Sequence, residues 1–177
     1  MPALSLTGVL LTSLLTGQSL GSLFDGIRSS ETLKHFGLTF FGTALYGGPL
    51  GEEGGWRGFA LPRLQKRFDP LLASVIVAAF WGLWHLPLHL TGYYSQVFGN
   101  PLNGILLQMF SIIPLALIFT WLYNRSKGSL LVMVLLHTAV NVTSSIVTPA
   151  VGMYIITTVA VVLMVLFDRM YRKLPAE

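Results

Sequence analysis

Cysteine is absent from the 177 residues, which excludes a disulfide framework, a thiolate nucleophile and a Cys-based zinc site. Charge is scarce as well. Only 10% of residues are charged and 53% are hydrophobic, against roughly a quarter charged in a soluble domain. With a mean hydropathy of +0.69, the chain reads as an integral membrane protein, with no room for a soluble domain beside it. There is no His-Glu-x-x-His helix, no Gly-x-Ser-x-Gly elbow and no Gly-rich phosphate loop with lysine. The compact metalloprotease, serine-hydrolase and nucleotide-binding signatures are thereby missing. No internal repeat, low-complexity tract or linker interrupts the chain, which weighs against a repeat-built transporter.

What is present is a set of apolar runs with basic residues between them. Net charge is +4 and the isoelectric point is near 9.6, but the cations form no stripe. They read as topology signals and not as a nucleic-acid surface. Residues 2–24 form a first apolar run; it lacks a basic leader and is read as a retained helix. Residues 36–61, 70–90 and 102–123 give three further spans. Residues 129–167 carry no Asp, Glu, Lys or Arg over about twice the ~20 residues needed to cross a bilayer. Pro149 to Gly152 divides that stretch into two helices. The fold expected is all-α, a polytopic membrane helix bundle of about six transmembrane helices, forming one domain over residues 1–177.

Arg63, Lys66 and Arg67 follow the second span, Arg125 and Lys127 the fourth, and Arg169, Arg172 and Lys173 the sixth. All fall on one side, and the opposite loops hold only Arg28 and Lys34, offset by Asp25 and Glu31. A multi-pass protein of the cell membrane with both termini cytoplasmic is expected.

Within these spans sit polar groups that are costly in lipid and so point to function. Glu52 and Glu53 are neighbours about 100° apart on a helix, so one can act as base and the other as its partner. Arg57, four residues after Glu53, has the spacing of a helical ion pair. The double carboxylate favours function over anchoring, since one salt bridge leaves the second Glu unexplained. Trp81 and His85 share a helical face, with His89 one turn on; His89, close to the loop at Gly92, reads as an exposed interfacial residue with no role. His137 and Asn141 also lie one turn apart, and both can donate hydrogen bonds to a developing oxyanion. The plainer readings are a core histidine at His85 and an interhelical hydrogen-bonding pair at His137 and Asn141. Gly47, Gly48, Gly51, Gly54 and Gly55 suggest close helix approach or backbone freedom beside the carboxylates. For Glu52 to serve a site with His85, either the second span has to unwind near Pro49 or the third has to begin deeper in the membrane than its apolar run indicates.

Glu52-Glu53-Gly-Gly-Trp-Arg57, followed by Gly58-Phe59-Ala-Leu-Pro62, then Trp81-x-x-x-His85, then Gly128-Ser-Leu and His137-Thr-Ala-Val-Asn141 resemble, in this order, the motifs of the CPBP family. This is the CAAX-prenyl-protease and bacteriocin-processing group of intramembrane peptidases, also called the abortive-infection domain. The likeness covers residues 36–145, with Trp81 where the family usually has Phe. It implies an all-α membrane fold and an endopeptidase acting on a membrane-associated peptide or protein, CAAX-type or bacteriocin-like. By motif position, Glu52 and His85 would activate water, His137 and Asn141 would hold the oxyanion, and Glu53 and Arg57 would support them. The family includes members described as zinc enzymes and members described as metal-free, glutamate-type peptidases. Glu52, His85 and His137 are the residues that would hold zinc, and the metal-free scheme is slightly favoured. A non-catalytic scaffold or immunity protein on the same fold is the rival reading; the oligomeric state is open.

Overall fold

The structure is a computed structural model that describes residues 2–17, 19, 35–92, 101–146 and 151–175. Among them all regular structure is helical. In chain order these are α1 (Pro2–Thr16), α2 (Phe36–Tyr46), α3 (Pro49–Gly55), a π-helical stretch (Trp56–Ala60), α4 (Leu61–Gln65), α5 (Pro70–Trp84), α6 (Leu86–Leu90), α7 (Pro101–Arg125), α8 (Leu130–Ile146) and α9 (Val151–Phe167). Two stretches, Pro70–Leu90 and Leu102–Arg125, are long and apolar enough to cross a membrane, and Thr7–Thr16, Leu130–Ser144 and Gly152–Phe167 are shorter apolar helices. The opposite-side loop with Arg28 and Lys34, and the turn read at Pro149, lie outside the described residues.

The chain forms two compact units, Met1–Gly55 with Ser129–Val162, and Trp56–Gly128 with Leu163–Glu177. In the first, α8 packs on α2, α3 and α1. Close approach between α1 and α9 is bought with glycine: a Cβ on Gly8 would lie 2.5 Å from the Met153 backbone. Small residues of this kind let membrane helices pack backbone to backbone. Thr12 Oγ1 donates to the Gly8 carbonyl at 2.8 Å and accepts from the Gly152 N–H at 2.9 Å. That satisfies one of the donors left open at the start of α9.

In the second unit α5 packs most extensively on α7, and α4 and the π-helical stretch cover its flank. Leu61, Ala73 and Val77 form the buried centre, with Trp56, Leu64 and Tyr123 against it. α5 begins in a clear sequence signal: Asp69 accepts from the Leu72 N–H at 2.9 Å and Pro70 occupies the first turn, which needs no N–H there.

The second expected span is interrupted where the sequence indicated. α2 ends at Tyr46, Gly47 and Gly48 carry the chain around a bend, and Pro49 restarts it. The π-helical stretch that follows was not foreseen. Pro62 supplies a reason, because its ring has no N–H and crowds the carbonyl four residues back. The wider turn absorbs that conflict without ending the helix, as π-bulges do.

Candidate active site

In the first unit the broken span places two adjacent carboxylates differently. Glu53 is completely buried, and its Oε1 accepts from His137 Nδ1 at 2.8 Å. His137, on α8, is itself only 5% exposed. A carboxylate and an imidazole buried together each relieve the other's desolvation, and the contact fixes which ring nitrogen faces away from the glutamate. Glu52 stays half-buried in the first turn of α3. Gly48 has φ +102°, and a Cβ there would lie 2.7 Å from Glu52 Oε1. The bend therefore needs glycine twice over, for its backbone and for the carboxylate lying against it. Gly51, Gly54 and Gly55 have open space where a side chain would be, so of the two roles expected for them close helix approach does not apply. They leave the surface of α3 bare beside Glu52. Asn141 lies half-buried, one turn beyond His137 on α8.

In the second unit His85 stands where α5 stops. Its backbone N–H bonds to the Gly82 carbonyl at 3.1 Å instead of continuing the α-helical pattern, and Pro87 two residues on has no N–H to offer. The Trp81 carbonyl is left for the imidazole: His85 Nδ1 donates to it at 2.7 Å. With its proton on Nδ1, the ring keeps a lone pair on Nε2.

Arg57 is also completely buried. Its guanidinium carbon lies 4.4 Å from the Trp81 ring centroid and 4.2 Å from that of Phe119, and the two rings meet edge to face at 5.6 Å. The aromatic four residues before the histidine thus forms one wall of a cation box. Phe119 was missed by the sequence reading, since one phenylalanine in an apolar span carries no signal. His89 corrects another expectation: it is 3% exposed, and its Nε2 donates to Gln108 Oε1 on α7. α6 packs on α7 and takes His89 inside with it. Gln108, a lone amide in an apolar run, was the available clue.

The sequence matches the family model described as type II CAAX prenyl endopeptidase Rce1-like over residues 34–143. The chain belongs to this family. Its motif-bearing helices are therefore those of an Rce1-like membrane helix bundle, in agreement with the all-α membrane fold read from the sequence. It is 34% identical over 92 residues to CAAX prenyl protease 2 of Methanococcus maripaludis, an alignment covering 51% of this chain and 34% of that protein. The chain spans about a third of the length of the curated relative it matches.

A catalytic zinc takes three protein ligands and leaves one position open. Among the described residues no three His, Asp or Glu side chains gather into such a group. Glu52, His85 and His137 carry donors of the type that zinc takes.

Proposed function

We propose that this Rce1-like chain is an intramembrane endopeptidase that hydrolyses a peptide bond of a membrane-associated, CAAX-type substrate through a water activated by Glu52 and His85. The observation that carries the reading is the buried Glu53–His137 contact at 2.8 Å. It engages one glutamate of the pair and so distinguishes it from Glu52, which is less buried.

In this scheme Glu52 accepts a proton from water, and the oxygen attacks the scissile carbonyl. His85, held by Trp81 through Nδ1, offers Nε2 to the same water. As the carbonyl becomes tetrahedral its oxygen gains negative charge. His137 donates from Nε2, the ring nitrogen turned away from Glu53, and the Asn141 amide donates a second hydrogen bond. The proton held by Glu52 then passes to the leaving amine as the C–N bond breaks. Arg57 supports the fold of the motif from its aromatic box. The protein resides in the cell membrane, both termini on the cytoplasmic side, with lipid and a peptide or protein substrate as its partners.

The test is cleavage of a prenylated CAAX peptide by the purified full chain. Glu52→Gln and His85→Ala are each expected to lower turnover by about 10²–10⁴-fold while membrane insertion and thermal stability stay near wild type. Unchanged turnover in Glu52→Gln would remove the proposed base. A wild type inert toward prenylated and bacteriocin-like peptides alike, whose cellular phenotype survives both substitutions, would establish the scaffold reading instead.

A further inference from the structure

A cavity of about 340 Å³ opens in the second unit, where α5 begins, α7 ends and the segment after α9 runs past them. The Leu71 N–H donates to the Met170 carbonyl at 2.9 Å and fastens that segment to the first turn of α5. α7 and α9 close in the same way. Gly128 N–H reaches back to the Tyr123 carbonyl at 2.9 Å, and Met170 N–H to the Val165 carbonyl at 3.1 Å, the six-to-one bond of a Schellman turn. The residue that must be left-handed is Lys127 (φ 53°) in one and Arg169 (φ 52°) in the other. Glycine would be the less strained occupant of both. Twice, then, the chain puts a long cation at such a helix end.

The cavity lining carries Arg125, Arg169, Arg172 and Lys173 against the single carboxylate of Asp168. That carboxylate is already engaged: it accepts from Trp121 Nε1 and from Arg125 Nη2, and these bonds hold Asp168 below the usual carboxylate range. Arg169, Arg172 and Lys173 are exposed and have no acidic partner among the described residues. Trp121 marks the depth. It stands near the end of a helix long and apolar enough to span a membrane, and an indole with its N–H engaged is typical of the membrane–water boundary.

We propose that this cavity binds the phosphate of an anionic phospholipid headgroup through Arg169, Arg172 and Lys173. Phosphate oxygens accept from several donors at once, and guanidinium forks match them in pairs. Basic pockets at the ends of membrane helices hold acidic headgroups by this combination. A free phosphate ion presents the same oxygens, so the experiment has to separate the two sources. The inference does not depend on the hydrolytic reading.

The test is lipid retention by the full chain, read by native mass spectrometry from micelles doped equally with phosphatidylglycerol and phosphatidylcholine. Wild type is expected to retain phosphatidylglycerol preferentially, and the variant R169G/R172Q/K173Q to lose about tenfold or more of it. Arg169→Gly keeps the left-handed turn, so the triple variant should melt like wild type; R172Q/K173Q, outside any helix, serves should it not, with an intermediate loss. Lys66→Gln/Arg67→Gln, in another basic loop, should retain lipid as wild type does. Equal retention of the two lipids, no change in the cavity variants, or an equal loss in the Lys66/Arg67 control would overturn the proposal. So would a phosphate-only outcome, in which inorganic phosphate raises the melting temperature of wild type alone and phosphatidylglycerol is not retained.

Discussion

Glu53 and Arg57 lie one helical turn apart in sequence and are both buried completely, yet their surroundings differ in kind. Glu53 meets His137, a titratable hydrogen-bond donor from a helix more than eighty residues away. Arg57 meets the faces of Trp81 and Phe119. An aromatic box stabilises a charge that is permanent and has no proton to exchange. An imidazole stabilises a charge while remaining able to gain or lose a proton. The first arrangement suits a structural support, and the second suits chemistry.

The largest effect should come from breaking the Glu53–His137 contact. Glu53→Ala leaves His137 buried without its carboxylate and is expected to cost about 3–5 kcal/mol, read as a drop in melting temperature in detergent. Glu53→Gln keeps an acceptor and should cost about 1 kcal/mol, so the difference between the two separates charge from hydrogen bonding. If both melt like wild type, the pair is not what stabilises α3 against α8.

On the other side of the comparison, Arg57→Lys preserves charge but loses the planar guanidinium between the rings. It should cost about 2 kcal/mol, and Phe119→Leu about half of that. Cleavage ought to fall only as far as folding does. A large loss of turnover in a well-folded Arg57→Lys would show that Arg57 is more than a support.

Smaller again is Gly48→Ala. A side chain at φ +102° costs about 1–2 kcal/mol, and its Cβ would displace the Glu52 carboxylate. Activity should therefore drop further than stability, the reverse of the pattern at Arg57.

The smallest effect concerns the exposed pair Arg125–Asp168. Trp121 first, and Arg125 after it, lower the Asp168 pKa from its ordinary 3.8. A depressed folded-state value means a contribution fully present above the ordinary value and lost as pH falls through the lowered one. Asp168→Asn should therefore flatten the acid limb of the stability profile below about pH 4 and leave neutral stability almost unchanged, as exposed pairs contribute little.

The break in the second span was legible because Gly-Gly-Pro is a local signal: one residue lacks Cβ restraint and another lacks a donor. The start of α5 was equally local, in Asp69 and Pro70. That Glu53 and not Glu52 is the one buried against His137 was not legible, because adjacent identical side chains differ only in what lies opposite each. His89 was misread for the same reason. Its sequence distance from Gly92 suggested exposure, and its burial depends on α6 packing against α7, where Gln108 waits. The π-helical stretch followed from Pro62, but nothing local distinguishes a widened turn from a broken helix.

By itself, then, the sequence determined the membrane class, the helical fold, the bend at Gly48 and the family. Each of these follows from composition, from backbone chemistry or from motif order along the chain. Tertiary structure alone decided that Glu53 pairs with His137, that Arg57 lies between Trp81 and Phe119, and that basic helix ends surround one cavity. Those are matters of which side chains from distant segments share a low-dielectric interior, and there the partner a charge finds sets what it can do.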